Sequence, residues 1–325
     1  MGCRGSFVIR ENGVNTYLYD SSFGAGIMPD LFYGLDSTLD LFSRGREDTT
    51  ILDDVWGEGG VIVDLDAKVM MFWGSDVLFD NVPLIPHLIS FMETHTWQGW
   101  DVRHAQWGMS SMGKYLDLPE FSQPATYQKP SKESREKHLD LWIEADKSGA
   151  EFNDEEDTVI SYKKSNGDIL NYTTSVESDR TLALGKDLFQ ILKDRKTVPL
   201  PHQRDVYDCL YINEQTKTIH VFWGYPSNFD PSGYQIRYWS GWQIKWNNGG
   251  YVGHLKLISY TQNDLLFSKE EVVKGVIGIL KQPIENKLAY FKKVNKPHYD
   301  KAILQWENQI MFLDRLKQEW LEKTN

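Results

Sequence analysis

This sequence predicts an α+β fold made by tandem duplication and followed by a helical C-terminal segment. Three recurrences predict it. Phe72-Trp73-Gly74 returns as Phe222-Trp223-Gly224, and Trp97-Gln98-Gly99-Trp100 returns as Trp239-Ser240-Gly241-Trp242. Leu31 to Arg44 lies on Leu182 to Arg195 without a gap, with Leu31/Leu182, Gly34/Gly185, Asp36/Asp187, Leu41/Leu192 and Arg44/Arg195 identical. The copies are 151 residues apart at the helix, 150 at the Phe-Trp-Gly tripeptide and 142 at the Trp cluster. The second copy therefore lacks about a helix's worth of chain between the last two landmarks. Repeats this long mean paired domains, since a solenoid unit runs to ~20–50 residues.

The elements follow in order. Ser6 to Arg10 and Val14 to Tyr19 flank Glu11-Asn12-Gly13 and predict a β-hairpin, because Asn-Gly tolerates positive φ. Leu31 to Arg44 reads as an amphipathic helix carrying Leu35, Leu39, Leu41 and Phe42, and the acidic residues 45 to 58 as a loop. Val61 to Leu65 and Val69 to Trp73 form a second hairpin around Asp66-Ala67-Lys68. Pro83 to Glu93 reads as a helix with Pro86 in its first turn, where a missing N–H costs little. Trp100, Val102 and His104 alternate with charged or small residues and predict a strand with one buried face.

The first repeat is therefore placed at 1–118. Residues 119–157, punctuated by Pro119, Pro124 and Pro130 and ending in an acidic run, read as a linker carrying one helix over Ser131 to Lys147. The second repeat, 158–262, opens with another hairpin around Ser165-Asn166-Gly167-Asp168. Residues 263–325 are helical: Ser268 with Glu271 is a capping box for Lys269 to Lys281. A closing helix from Asp300 to Lys323 carries Ile303, Trp306, Ile310, Leu313 and Trp320 at three- and four-residue steps, a stripe that must be covered.

Composition narrows the function classes. Hydrophobic residues at 41% with charged residues at 25% exclude wholesale disorder. The formal net charge of -11 works against a phosphate backbone or an anionic membrane and favours a basic protein partner. Cys3 and Cys209 make neither a disulfide framework nor zinc-ligand spacing, and no apolar run reaches about 18 residues; both point to a cytoplasmic protein. Met1-Gly2-Cys3-Arg4-Gly5-Ser6 fits the N-myristoylation pattern, but a strand starting at Ser6 leaves little free chain, so the match reads as chance.

No catalytic constellation, cofactor motif or metal-ligand set emerges. Asp48, Asp53, Asp54, Glu58, Asp64 and Asp66 crowd the approach to the first Phe-Trp-Gly strand without calcium-loop spacing, and read as an acidic rim. His95 and His104 bracket Trp97 and Trp100, with His87 before them; Trp246 stands where His104 would recur, which marks a packing position. Gly108-Met109-Ser110-Ser111-Met112-Gly113 lacks nucleophile-elbow spacing and no strand-to-helix turn is expected around it. Cys209 reads as a core thiol. Trp73, Trp97, Trp100 and their counterparts Trp223, Trp239 and Trp242 are expected to fill the seam between sheet and helix.

The hairpin with Asn-Gly, the helix opening with Gly and Asp, and the Phe-Trp-Gly and Trp-x-Gly-Trp strands resemble a group of bacterial proteins of unassigned function. They are loosely similar to small α+β immunity proteins of bacterial toxin systems. That resemblance covers both repeats but not the tail, and transfers no functional residue. The reading that follows is a non-enzymatic immunity- or antitoxin-like inhibitor. Its contact surface would use Asp53, Asp54, Glu58, Asp64 and Asp66 with Trp97 and Trp100 as aromatic anchors. Two alternatives stand beside it: an enzyme with a site between the repeats using His95, His104 and nearby carboxylates, and a scaffold dimerising through the last helix.

Overall fold

The computed structural model describes the chain apart from residues 1–3, 22–23, 25–27, 53–55, 75–77, 79–80, 106–107, 123–130, 150–156, 223–230, 248, 295–298 and 323–325. The chain forms two compact α+β units, Met1–Leu118 together with Phe267–Asn325, and Pro119–Leu266.

In the first unit, β1 (Gly5–Glu11) and β2 (Val14–Asp20) make the expected hairpin, with Asn12 at φ 53° and Gly13 at φ 73° in its turn. The short helices α1 (Met28–Leu31) and α2 (Leu35–Phe42) follow, then the edge strand β3 (Arg46–Asp48). β4 (Gly59–Asp64) and β5 (Val69–Gly74) form the second hairpin, and every residue of both is buried. α3 (Ile85–His95), β6 (Asp101–His104) and α4 (Gly108–Tyr115) complete the repeat. The sheet order is β3-β2-β1-β4-β5-β6, with β1–β4 and β5–β6 parallel, so the sheet is mixed.

After a single helical turn at Pro119–Ser122, the second unit runs through α5 (Lys132–Gly149), β7 (Asp157–Lys163), β8 (Ile169–Thr174), α6 (Ser178–Ala183) and α7 (Leu188–Asp194). β9 (Val206–Asn213), β10 (Thr218–Phe222), α8 (Pro231–Arg237), β11 (Gln243–Asn247) and α9 (Gly250–Leu257) follow. Its order, β11-β10-β9-β7-β8, reproduces the first sheet without the edge strand. The segment read as a linker contributes to this core. Trp142 of α5 is buried among Leu182, Leu188 and Trp239, and its Nε1 donates to Thr181 Oγ1 at 3.1 Å.

The duplication extends to single hydrogen bonds. Trp97 Nε1 donates to the Leu31 carbonyl and Trp239 Nε1 to the Leu182 carbonyl, both at 2.8 Å. Glu93 Oε1 accepts from Val102 N–H and Gln235 Oε1 from Ile244 N–H, both at 3.1 Å. Lys68 and Lys217 turn their hairpins with φ 52° and 51°, and their carbonyls accept from Asp101 N–H and Gln243 N–H. These last pairs correct the tripeptide alignment by one residue. Lys68 and Lys217 are 149 apart, so Phe72 corresponds to Val221 and Trp73 to Phe222. The recurrent Phe-Trp-Gly is thus one step out of structural register, and a one-step slip exchanges sheet faces. Trp223 and Gly224 lie outside the described residues.

The single helix expected over 31–44 is two helices, broken at Gly34 with φ 88°, and its counterpart breaks at Gly185 with φ 58°. A Cβ on Gly34 would stand 2.6 Å from the Thr96 carbonyl oxygen, and one on Gly185 2.6 Å from that of Tyr238. The break lets each helix pair approach the residue preceding its buried Trp. Gly34→Ala is therefore expected to cost about 1–3 kcal/mol, from positive φ and a backbone clash together. Urea unfolding checks this: Ala at Gly99, also at positive φ but with open space around it, should cost less.

Four further expectations are corrected. Residues 46–48, read as loop, pair with β2 as β3. The helix inferred to be missing from the second repeat is shortened, α8 having 7 residues against 11 in α3. Gly108–Tyr115 and its counterpart are helices, so a strand-to-helix junction does precede Ser110 and Ser111. These serines sit within the helix, however, and not at the apex of the turn.

The fourth correction is the C-terminal segment, which belongs to the first unit rather than standing apart. Its first helix, α10 (Lys269–Val294), opens with the predicted capping box. Ser268 N–H donates to Glu271 Oε2 at 2.8 Å and Glu271 N–H to Ser268 Oγ at 3.2 Å. It runs past Lys281 through Pro283, because contacts with α11 (Asp300–Glu322) hold it on both sides of the proline. Lys281 pairs with Asp314 at 2.9 Å and Lys292 with Glu307 at 2.6 Å. The α11 stripe is covered within the chain: Trp306 packs on Phe291 and Trp320 on Phe91, while Leu313 and Leu316 are buried. No helix among the described residues is long and apolar enough to cross a membrane.

Candidate partner-binding surface

The acidic residues near the first Phe-Trp-Gly strand are given separate positions by the fold. Asp66 sits beside the β1–β2 turn and accepts the Asn12 and Gly13 N–H groups, each at 2.8 Å. Those two bonds hold its carboxyl below the ordinary range. Asp64 is buried at 3% exposure; it accepts from Tyr115 Oη at 2.8 Å and Ala67 N–H at 2.8 Å, with Arg10 Nε 3.9 Å away. Both carboxylates serve the hairpins. Glu58 is exposed and accepts from the Arg4 N–H at 3.0 Å. Asp48 is exposed on the edge strand, and Asp53 and Asp54 lie outside the described residues.

Of the two proposed anchors, Trp97 is interior at 1% exposure with its N–H satisfied, so it presents nothing to a partner. Trp100 is half-buried and meets Trp97 edge to face at 5.1 Å. An aromatic that the structure does present near these carboxylates is Trp56, 54% exposed, with the Arg4 guanidinium 4.5 Å above its ring. Sequence reasoning passed over Trp56 because it belongs to no repeat.

Among the described residues, Glu47 and Asp48 on the sheet's edge strand are exposed, and so are Trp56 and Glu58 where the chain enters β4. An edge strand leaves backbone N–H and C=O groups open to pairing, and charge on it discourages indiscriminate association.

His95 and His104 both pack on aromatic rings. His95 Nδ1 is 3.0 Å from the Phe91 carbonyl oxygen, and its ring packs on Phe91 at 4.2 Å. His104 packs against Phe72 at 5.3 Å with Nε2 buried, and burial pushes its imidazole down to about 4. Its strand position is that of Trp246, as the alignment required.

A polar cluster that sequence reading missed lies within the second unit. Ser161 Oγ on β7 donates to Asn171 Oδ1 at 2.7 Å and lies 2.9 Å from His254 Nε2 on α9. A hydroxyl has one proton, so His254 donates through Nε2–H and keeps an unprotonated, buried Nδ1. Ser161 and His254 are both fully buried, at 0% exposure. Cys209, on the neighbouring strand, is a buried free thiol whose pKa burial raises well above the ordinary value. Among the described residues no group of three or more His, Cys, Asp or Glu side chains converges to hold a metal ion.

Comparison with protein-family models, with curated proteins and with solved structures returns no match.

Proposed function

We propose that the chain is a non-enzymatic protein-binding module, an immunity- or antitoxin-like inhibitor of a basic protein partner. The observation that carries this reading is Trp56, a large indole left 54% exposed in an acidic segment beside Glu58 and close in sequence to Asp53 and Asp54. Interface hot spots favour such a side chain, and surrounding carboxylates steer a basic partner and speed its association. The formal net charge of -11 supports the same sign of partner.

The test is capture from native cells at low salt with the tagged full chain, followed by mass spectrometry and binding kinetics. A stoichiometric basic partner that elutes as salt rises is the expected result. Trp56→Ala should weaken that partner by roughly 30-fold, the equivalent of about 2 kcal/mol. Reversing charge at Asp53 and Asp54 should slow association at low salt and leave dissociation nearly unchanged. Equal affinity and equal rates in both variants would remove this surface from the account.

A further inference from the structure

We propose that Asn12 is a site of self-modification, converting to aspartate and isoaspartate, and that Asp66 holds it unreacted while the first two hairpins stay paired. The chemistry needs no second protein. The backbone nitrogen of Gly13, once it loses its proton, attacks the side-chain Cγ of Asn12. A C–N bond forms, the bond from Cγ to Nδ2 breaks, and ammonia leaves behind a cyclic imide. Water then opens the ring at either carbonyl, giving aspartate or an isoaspartate whose main chain runs through the side chain. One water is consumed and one ammonia released, with no oxidant or reductant. A following glycine favours the attack, because no Cβ crowds the nitrogen.

Three Asn-Gly pairs occur in the sequence, at 12–13, 166–167 and 248–249. Asn248 lies outside the described residues, whereas Asn12 and Asn166 are exposed and lie in hairpin turns. These two are held differently. The Asn166 carboxamide is tied at both ends: Nδ2 donates to Asp168 Oδ2 at 2.7 Å and Oδ1 accepts from the Asp168 N–H at 3.1 Å. The Gly167 N–H donates to the Lys164 carbonyl at 3.0 Å. The Asn12 carboxamide makes no hydrogen bond among the described residues, so its Cγ is free to turn towards Gly13. Only the nucleophile is held. The Gly13 N–H donates to Asp66 Oδ2 and the Asn12 N–H to Asp66 Oδ1, each at 2.8 Å. A carboxylate against that N–H opposes its ionisation, since an amide anion would form beside an existing negative charge. Asp66 comes from the next hairpin. Its hold depends on the pairing of β1 with β4 and on the Leu65 N–H, which donates to the Arg10 carbonyl at 2.9 Å. Parting of the two hairpins therefore releases Asn12, and the change outlasts the opening. The product sets a second carboxylate beside Asp66, and isoaspartate adds a main-chain carbon to a two-residue turn closed by Glu11 and Val14.

Incubation of the full chain in mildly alkaline buffer at body temperature tests this, with peptides read by tandem mass spectrometry and isoaspartate by enzymatic methylation. A synthetic peptide of residues 8–17 supplies the unguarded rate. Asn12 in the folded chain is expected to convert more slowly than in this peptide. Asp66→Ala should speed it roughly tenfold, the lower end of what a lost hydrogen bond to a charged group gives an opening equilibrium. Asp66→Asn, which keeps the shape and removes the charge, should fall between the two with an unchanged melting curve. Asn166 in the same samples should keep its wild-type rate throughout. Equal rates at Asn12 in wild type and Asp66→Ala, or in wild type and the peptide, overturn the proposal. A slower Asn12 in Asp66→Ala overturns it too, because Asp66 would then act as the base. A matching rise at Asn166 would trace the effect to unfolding and remove Asp66 from the account.

Discussion

Trp97→Ala is expected to destabilise the protein by about 3–5 kcal/mol, the cost of emptying a large aromatic side chain from a core that cannot fully collapse around the void. Trp97 is 1% exposed, and its indole joins three parts of the first unit. It leads into β6, it meets Trp100 edge to face at 5.1 Å, and its Nε1 holds the carbonyl of Leu31 at the end of α1. Removing the indole leaves the Leu31 carbonyl with the longer Gly34 N–H bond, at 3.3 Å, and frees the segment that Gly34 brings against Thr96. Trp97→Phe separates the two contributions: most of the apolar volume stays, and the lost hydrogen bond should cost about 0.5–1.5 kcal/mol, since the Gly34 N–H still reaches the same carbonyl. The same pair of substitutions at Trp239 should repeat the result in the second unit, where the Leu182 carbonyl takes the place of Leu31. Urea unfolding followed by far-ultraviolet circular dichroism measures both. A loss below 1 kcal/mol for Trp97→Ala would mean that the Leu31 segment is held by other contacts.

Acidification from pH 7.5 to 5 is expected to remove about 2 kcal/mol of stability through His254 alone. Burial pushes this imidazole down to about 3 in the folded protein, against an ordinary value of 6.5. The folded state therefore keeps His254 neutral while the unfolded chain takes up a proton below 6.5. The stability is fully present above that value and is lost progressively as pH falls towards 3. His104, His87 and His220 shift in the same direction by burial and steepen the slope, whereas the raised carboxyls of Asp30 and Asp179 act in the opposite sense. His254→Met isolates the single group. Met112 occupies the matching position of α4 in the first unit, and Ser161 keeps its bond to Asn171. The stability gap between wild type and His254→Met should change by about 2 kcal/mol over this pH range. An unchanged gap would show that the imidazole is solvated before unfolding.

The surface that carries the proposed function was only partly legible. An acidic neighbourhood was readable from the run between Asp48 and Asp66, because charge is local in sequence. Its division of labour was not. Asp64 and Asp66 look alike along the chain, yet one is buried under Tyr115 and the other caps an exposed turn. Strand alternation would put both on one face, but Asp64 ends β4 and Asp66 lies in the hairpin turn. Trp97 and Trp100 are equally adjacent, and only packing against Leu31 makes the first of them interior. Two hollows beside α11 were illegible, because their walls come from residues 33–37, 90–98 and 301–320.

By itself the sequence determined the class, the duplication and the local devices. Asn-Gly set the first hairpin, Ser268 with Glu271 set the helix start, and the paired tryptophan clusters marked two copies of one fold. These are contacts within a few residues, or patterns repeated along the chain, so their physics is written in order. The tertiary structure alone decided register and membership. It moved the second Phe-Trp-Gly one step off its apparent match, gave α5 to the second core through Trp142 and returned the C-terminal hairpin to the first unit. Those outcomes depend on which apolar faces meet across more than a hundred residues, and burial is non-directional along the sequence.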